Sequence, residues 1–193
     1  MMHRPALLLF ALLAVPALAQ SPAVPLEGAA LAVASARAGR AASQLQGKLQ
    51  GELAAAMKSG GPVAAIAVCR THAPAIAAEV SAATGVEVGR TALRWRNPAN
   101  RPTGWEKRTL KLFAARQAAG EPLATMSAMR EHRGHLEWLK PIPMGQMCLA
   151  CHGGGEVAPE TAAAIAAAYP KDKARGFAAG DLRGAFRARV PLD

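Results

Sequence analysis

The strongest constraint on this chain is a pentapeptide in its last third, Cys148-Leu149-Ala150-Cys151-His152. Two cysteines that are separated by two residues and followed directly by a histidine form the C-x-x-C-H signature of covalent c-type haem attachment. This spacing lets both sulfurs reach the two vinyl positions of one porphyrin, and it brings the imidazole beneath the iron. Because both sulfurs must face one edge of the macrocycle, we expect a short helical turn over residues 147–152.

Two other kinds of site also use paired cysteines. A C-x-x-C oxidoreductase carries its motif near the start of a helix in a thioredoxin-like βαβ pattern, and this sequence lacks that pattern. A structural zinc site needs four tetrahedral ligands. The side chains left to complete one are scattered along the chain: Cys69, His72, His132 and His135. The motif therefore predicts one covalently bound haem c, held by Cys148, Cys151 and His152.

The first nineteen residues have the layout of a secretory signal peptide. A short basic start at His3 and Arg4 precedes an apolar run over residues 6–17, and small residues lead to an expected cleavage after Ala19. The run is shorter than the roughly 20 residues that a membrane-spanning helix needs. We therefore expect a periplasmic protein with no transmembrane segment in the mature chain. We expect a helix to start within residues 20–44 and a haem domain to span residues 45–193.

The chain is strongly basic, with a formal net charge of +10. A basic balance often indicates nucleic-acid binding, but an exported protein does not meet the chromosome, so we expect no nucleic-acid partner. An acidic redox or signalling protein, an anionic lipid surface or the haem propionates are better partners for this charge.

Interspersed helical and strand-like segments predict an α+β domain. Leu45, Leu49, Leu53 and Met57 recur every four residues and indicate a core-facing helical stripe. Pro74 is expected to interrupt a helix. In the helix after the Pro-rich loop, Trp105, Leu112 and Phe113 are the expected core contacts. The predicted helices cover 27–58, 63–71, 75–83, 105–119 and 159–168, and the predicted strands cover 86–95, 123–130, 136–142 and 183–190, with a turn over 131–135.

His152 would occupy one axial position of the iron, so the opposite ligand decides the chemistry. Cys69 stands out because it lies on an apolar helical face and has no disulfide partner left, although a buried, inert thiol is the ordinary alternative. Sequence spacing cannot choose among the candidates, and it disfavours only Met144 and Met147, which are too close to the motif. The others are Cys69, His72, His132, His135, Met57, Met126 and Met129.

Several blocks of this sequence are similar to a family of PAS-like c-type haem domains first characterised in a cyanobacterial protein. They include residues 64–69 (AAIAVC), 88–91 (VGRT), 96–100 (RNPAN), 148–153 and 169–174 (YPKDKA), and together they span residues 45–190. The resemblance implies a PAS-like fold and an iron held between the motif histidine and a cysteine on an N-terminal helix, which corresponds to Cys69. One departure is Ala92, where the family pattern leads us to expect serine.

Histidine and thiolate ligation would imply a low reduction potential, because a thiolate stabilises ferric iron. A redox or small-ligand sensor, or a carrier of single electrons, is therefore the expected function. Arg90, Arg94 and Arg96 alternate along a predicted strand, so Arg90 and Arg96 could pair with the propionates; a solvated basic edge is the alternative. A peroxidase is the rival function, with His72 and either Arg70 or Arg90 near the iron.

Overall fold

The computed structural model describes residues 28–192, so the predicted signal peptide and its cleavage site lie outside the described residues. The first helical segments are α1 (Gly28–Ala67), a π-helical turn (Val68–His72) and α2 (Ala73–Thr84). The remaining elements are β1 (Glu87–Thr91), α3 (Gly104–Ala118), β2 (Ala128–His132), β3 (His135–Pro143), α4 (Leu149–His152), α5 (Pro159–Ala168) and β4 (Leu182–Pro191). The predicted α+β class is confirmed.

The four strands form one antiparallel sheet in the order β1-β4-β3-β2. Side chains alternate between its two faces along each strand, as the period of two in a β-strand requires. On β4, Phe186, Ala188 and Val190 pack with α1 and α2, whereas Ala185 packs on the opposite face with Leu110 and Phe113 of α3. The sheet is therefore covered by the N-terminal helices on one face and by α3 on the other.

The first half of α1 lies against the sheet through small side chains. Ala34, Ala38, Ala41 and Leu45 are all buried in this contact, at the spacing of one helical face. The helix runs without a break through residue 45, so the described part of segment 20–44 shares its core with the rest of the domain. By length and composition alone, the helical run 28–84 is also apolar enough to cross a membrane, a property that core helices of this length share.

Two expectations about the helices need correction. Pro74 does not end a helix: it lies in the first turn of α2, where a missing N–H is tolerated, and the wider π-helical turn directly before it absorbs the mismatch. Leu112 is not a core contact, because it is 54% exposed. Leu110 and Phe113, three residues apart on one face of α3, are fully buried instead.

Three predicted strand boundaries are wrong. The strand expected over 86–95 ends at Thr91, because the next backbone N–H, that of Ala92, donates to the carbonyl of Asn100 and the chain turns away. Residues 123–125 form a 3₁₀ turn, and the strand begins only at Ala128. The hairpin turn is limited to Arg133 and Gly134, both of which have a positive φ, as a type I′ turn requires.

Candidate haem site

A narrow cleft of about 200 Å³ lies between the N-terminal helices, the edge of the sheet and the C-x-x-C-H segment. Its walls are mainly apolar, and all three motif residues border it. Cys69 borders it from the π-helical turn that follows α1. The side chains that line the cleft include Met57, Cys69, Arg90, Met144, Met147, Cys148, Cys151, His152, Tyr169 and Arg183.

The motif is held in a compact turn against the loop that precedes β4. A 3₁₀ turn over Gln146–Cys148 leads directly into α4, as the predicted helical turn over 147–152 required. The N–H of Phe177 donates to the carbonyl of His152 at 3.0 Å, and the N–H of Gly176 donates to Gly153 at 2.7 Å. These backbone bonds fix the motif on one wall of the cleft.

His152 is oriented by a backbone hydrogen bond. Its Nδ1 lies 2.8 Å from the carbonyl oxygen of Ala174, and because a carbonyl only accepts, Nδ1 must carry the proton. The other nitrogen, Nε2, then keeps its lone pair, which is the state that binds a metal. Burial first, and then the charges of Arg183 and Arg96, lower the pKa of His152 to about 3. The imidazole is therefore neutral at physiological pH.

Arg96 clamps the motif to the loop after α5. Its Nη2 donates to the carbonyls of Cys151 at 2.6 Å and Ala174 at 3.1 Å, and its guanidinium also binds both carboxylate oxygens of Asp172. The Arg96 and Asp172 side chains are only 8% and 2% exposed. Nε and Nη2 of Arg96 thus bind protein acceptors, and the strand argument that grouped this residue with Arg90 and Arg94 fails because β1 ends at Thr91.

Two arginines that face the cleft have fewer protein partners. Arg90 is half-buried near Cys69 and Tyr169, and burial lowers its pKa despite those neighbours. Arg183 donates to the carbonyl of Arg94 at 3.2 Å, and burial together with Arg90 and Arg96 lowers its pKa to about 10. Two cations held so close together favour an anionic group between them.

Cys69 reaches the cleft because of the π-helical turn. Three residues before Cys69, Ile66 packs with Ile165 and Tyr169 in a small cluster that also contacts Cys151. This cluster brings the end of α1 close to the motif wall. Burial, followed by the proximity of Cys69, raises the pKa of the Tyr169 hydroxyl, so Tyr169 remains a neutral hydrogen-bond donor beside the thiol.

Comparisons with known proteins agree with this architecture. A family model described as Tll0287-like matches residues 22–191. The chain belongs to the Tll0287-like family. The crystal structure of the cyanobacterial heme-protein Tll0287 superimposes with a TM-score of 0.61 at 23% sequence identity, covering 86% of this chain and 97% of that one. The two proteins share a fold at this level of identity. Among proteins with curated descriptions, none matches this chain.

Of the other candidate iron ligands in this Tll0287-like chain, some border the cleft and the rest lie away from it. His72 points to Glu52, with 3.1 Å between Nδ1 and Oε2, and half of its side chain is exposed. The remaining histidines, His132 and His135, lie at the β2–β3 hairpin, far along the sheet from the motif. Of the methionines, Met126 is buried under α3 and Met129 is exposed. The methionines that border the cleft are Met57, Met144 and Met147.

The thiols and the imidazole at the cleft fit a c-type haem better than they fit a structural zinc site. Two free thiols and a neutral imidazole lie on one wall, and a third free thiol borders the cleft from the π-helical turn. Within residues 28–192, no group of three or more His, Cys, Asp or Glu side chains is placed to hold a zinc ion. The sequence did not identify Arg183 and Tyr169 as site residues: Tyr169 begins the block 169–174, but no local pattern assigns either side chain to the cleft.

Proposed function

We propose that this chain is an exported c-type haem protein in which one haem is bound through thioethers to Cys148 and Cys151. His152 and Cys69 would be its axial ligands, and the α+β fold would be of the PAS-like type. The observation that carries the proposal is the common cleft, bordered by the C-x-x-C-H residues and by a thiol from a distant helix. Family membership and the fold shared with a heme-protein support it.

The protein would sense redox state or a small ligand, or it would pass single electrons. A bound haem supplies a one-electron ferric–ferrous couple. The thiolate of Cys69 would lower the potential of that couple, while the hydrogen bond from His152 to Ala174 holds the other ligand in one tautomer. A ligand that binds ferric iron more strongly than ferrous iron can leave on reduction, which is the basis for sensing.

The propionates would be received by Arg90 and Arg183. Both are half-buried and border the cleft, and the charge of two guanidinium groups matches two carboxylates. Arg96, the second arginine expected from the sequence, would instead support the site indirectly by holding the motif to Asp172. Export through the leader of residues 1–19 would bring the chain to the periplasm, where c-type attachment takes place.

A peroxidase is less well supported by the geometry. That chemistry needs a base on the open side of the iron, and His72 was the candidate from sequence. The described part of the cleft wall contains no histidine other than His152, and His72 and Arg70 are exposed outside it. The other polar side chains that border the cleft, which include Gln50, Arg90 and Tyr169, supply no such base, so the binding and redox role is favoured.

The proposal is tested by the mass and absorption spectrum of the exported protein. We expect the mass of the processed chain plus one haem, and a six-coordinate low-spin ferric spectrum of thiolate type. Cys69→Ala should change the ferric spectrum and raise the reduction potential, because a donor that stabilises ferric iron is lost. Met57→Leu, at another sulfur side chain bordering the cleft, is the matched control and should change neither.

Three results would contradict parts of this account. A colourless protein with the mass of the bare processed chain would exclude haem attachment altogether. A coloured protein whose spectrum responds to Met57→Leu and not to Cys69→Ala would keep the haem and replace its sixth ligand. Peroxide turnover by the wild type, with a five-coordinate high-spin ferric spectrum, would favour the enzyme instead.

A further inference from the structure

Five exposed cations gather on the side of the molecule that carries the motif. They come from the loop after β1 and from the loop after α5, and we call them the basic patch: Arg94, Arg101, Lys171, Lys173 and Arg175. The two loops are joined directly. The N–H of Lys173 donates to the carbonyl of Trp95 at 3.0 Å, and Nε of Arg94 donates to the carbonyl of Lys173 at 3.4 Å.

Three of these cations are held in place by aromatic rings. Arg101 and Lys173 lie over the ring of Trp95, 5.0 and 5.2 Å from its centroid. Arg94 lies over Phe177 at 3.9 Å. Both rings are almost fully buried, so they form a rigid base for the charges. Cations that are already ordered lose less side-chain entropy when a partner binds than free surface lysines do.

The patch has little negative charge to balance it. Asp172 lies between Lys171 and Lys173, but its carboxylate is 2% exposed and is already bound to Arg96 and Arg175. An exposed carboxylate in the loop after α4, that of Glu156, accepts a hydrogen bond from the N–H of Gly154. The surface therefore keeps a strong positive potential.

The basic patch lies directly beside the proposed haem attachment. The ring of Phe177 meets that of His152 edge to face at 6.3 Å, and the backbone around it is bonded to the motif. Arg96, between Arg94 and Arg101 in the chain, donates to the carbonyl of Cys151. A molecule that bound the patch would stand a few side chains from the motif that would hold the haem.

We propose that the basic patch is the docking surface for an acidic redox protein that exchanges single electrons with this chain. The inference rests on the proposed haem function. In each encounter, the partner's reduced centre gives up one electron as ferric iron becomes ferrous, or the reverse transfer occurs. Complementary charge accelerates such encounters and orients them, and the effect falls with ionic strength.

The test is stopped-flow reduction of the ferric holoprotein by an acidic flavodoxin, whose hydroquinone gives one electron and becomes the semiquinone. The second-order rate should fall at least about tenfold between roughly 10 mM and 0.3 M salt. Lys171→Glu and Arg101→Glu should each lower the low-salt rate by about five- to tenfold, and the variants should converge with the wild type at high salt. Lys171 is exposed, so its substitution tests the surface without disturbing the core.

Arg133→Asp is the matched control, because it makes the same charge change at the far end of the nine-residue strand β3, about 26 Å from the motif end at roughly 3.3 Å per residue. Aspartate also tolerates the positive φ of this position. The control should alter the rate less than about twofold, since screening limits the reach of a charge to about 10 Å. Equal effects of Arg133→Asp and Lys171→Glu would overturn the proposal, because only net charge would then matter.

Two binding measurements distinguish failure of the docking proposal from failure of the haem proposal and from membrane binding. Calorimetric titration with oxidised flavodoxin reports docking without electron transfer, so a chain that lacked haem would fail the stopped-flow test and could still bind. Co-sedimentation with phosphatidylglycerol vesicles covers the lipid alternative. If Lys171→Glu abolished vesicle binding and left flavodoxin binding and reduction unchanged, the basic patch would be a membrane contact and the proposal would be wrong.

Discussion

At the scale of single residues, the pair formed by Arg96 and Asp172 organises the motif wall. One guanidinium connects the carbonyl of Cys151, the carbonyl of Ala174 and the buried carboxylate of Asp172. Asp172 in turn accepts from the N–H of Ala174 at 2.9 Å. The carbonyl of Ala174 is also the acceptor for His152, so the clamp and the ligand share one short piece of backbone.

Asp172→Asn is expected to destabilise the protein by about 3 kcal/mol at neutral pH, because it leaves a buried guanidinium without its charge partner. Burial alone raises the pKa of Asp172, but the bonds from Ala174, Arg96 and Arg175 outweigh it and hold the pKa below its ordinary value. The stabilisation is therefore present above the unfolded-state pKa and is lost as the pH falls through the lower folded-state pKa. Urea unfolding of both proteins at pH 7 and at steps below pH 4 checks this.

Arg175→Gln is the control for the clamp, since this second partner of Asp172 is exposed. An exposed ion pair contributes about 1 kcal/mol or less. Two outcomes would contradict this role of the Asp172 carboxylate. Asp172→Asn would lower the free energy of unfolding no more than Arg175→Gln does, or the loss caused by Asp172→Asn would be as large in acid as at pH 7.

At the scale of elements, two irregularities in the N-terminal helices decide where Cys69 lies. The first is a kink at Gly60 and Gly61, where Gly61 adopts φ 67° and ψ −164°, a conformation that is accessible essentially only to glycine. The second is the π-helical turn over Val68–His72, directly before Pro74. An uninterrupted α-helix would place the thiol on a different side of the segment.

Gly61→Ala should destabilise the protein by about 1–3 kcal/mol, because alanine must adopt a strained backbone or straighten the kink. Gly51→Ala in the same helix is the matched control: no atom lies within 4 Å of an added Cβ, and alanine should stabilise by about 0.5–1 kcal/mol. Thermal unfolding measures both changes. We also expect Gly61→Ala, and not Gly51→Ala, to alter the ferric absorption spectrum. Equal stability of the two variants would show that the kink carries no strain penalty.

At the scale of the whole molecule, the cleft separates the ends of the N-terminal helices from the motif wall. The contacts of α3 lie away from it and do not depend on what fills the cleft, whereas the sheet core borders the cleft through Phe186 and Ile142. Within residues 28–192, a small cluster of Ile66, Ile165 and Tyr169 packs between the end of α1 and the motif wall, where it contacts Cys151. A haem bound to both walls would therefore add a connection that the polypeptide alone provides only weakly.

The double variant Cys148→Ala/Cys151→Ala, which cannot form thioethers, should unfold at a lower temperature than the haem-bound wild type. A loss of about 2 kcal/mol corresponds to roughly 4–8 °C for a domain of this size. Calorimetry measures the shift in melting temperature. The single variant Cys69→Ala keeps the thioethers, so its melting temperature should fall less than that of the double variant. Identical melting temperatures of the double variant and the wild type would mean that the haem does not bridge the walls.

Much of this molecule follows from local sequence rules. The C-x-x-C-H spacing, the helix that begins at the Thr103 capping box and the strand over 182–191 are each determined by neighbouring residues, and the corresponding elements were predicted to within a few residues. The end of β1 and the bounds of β2 were predicted poorly. The hydrogen bond between Ala92 and Asn100 that ends β1 depends on a loop, and hydrophobic periodicity does not register loops.

The α+β class, the motif and the secondary structure around it therefore follow from local patterns in the chain, because they depend on contacts within one or two turns. Folding is what brings Arg96 to Asp172, 76 residues away, places Arg183 at the cleft, and gathers the five cations of the basic patch beside His152. Such pairings depend on how the chain closes over long distances, and no local pattern records which distant side chains will become neighbours.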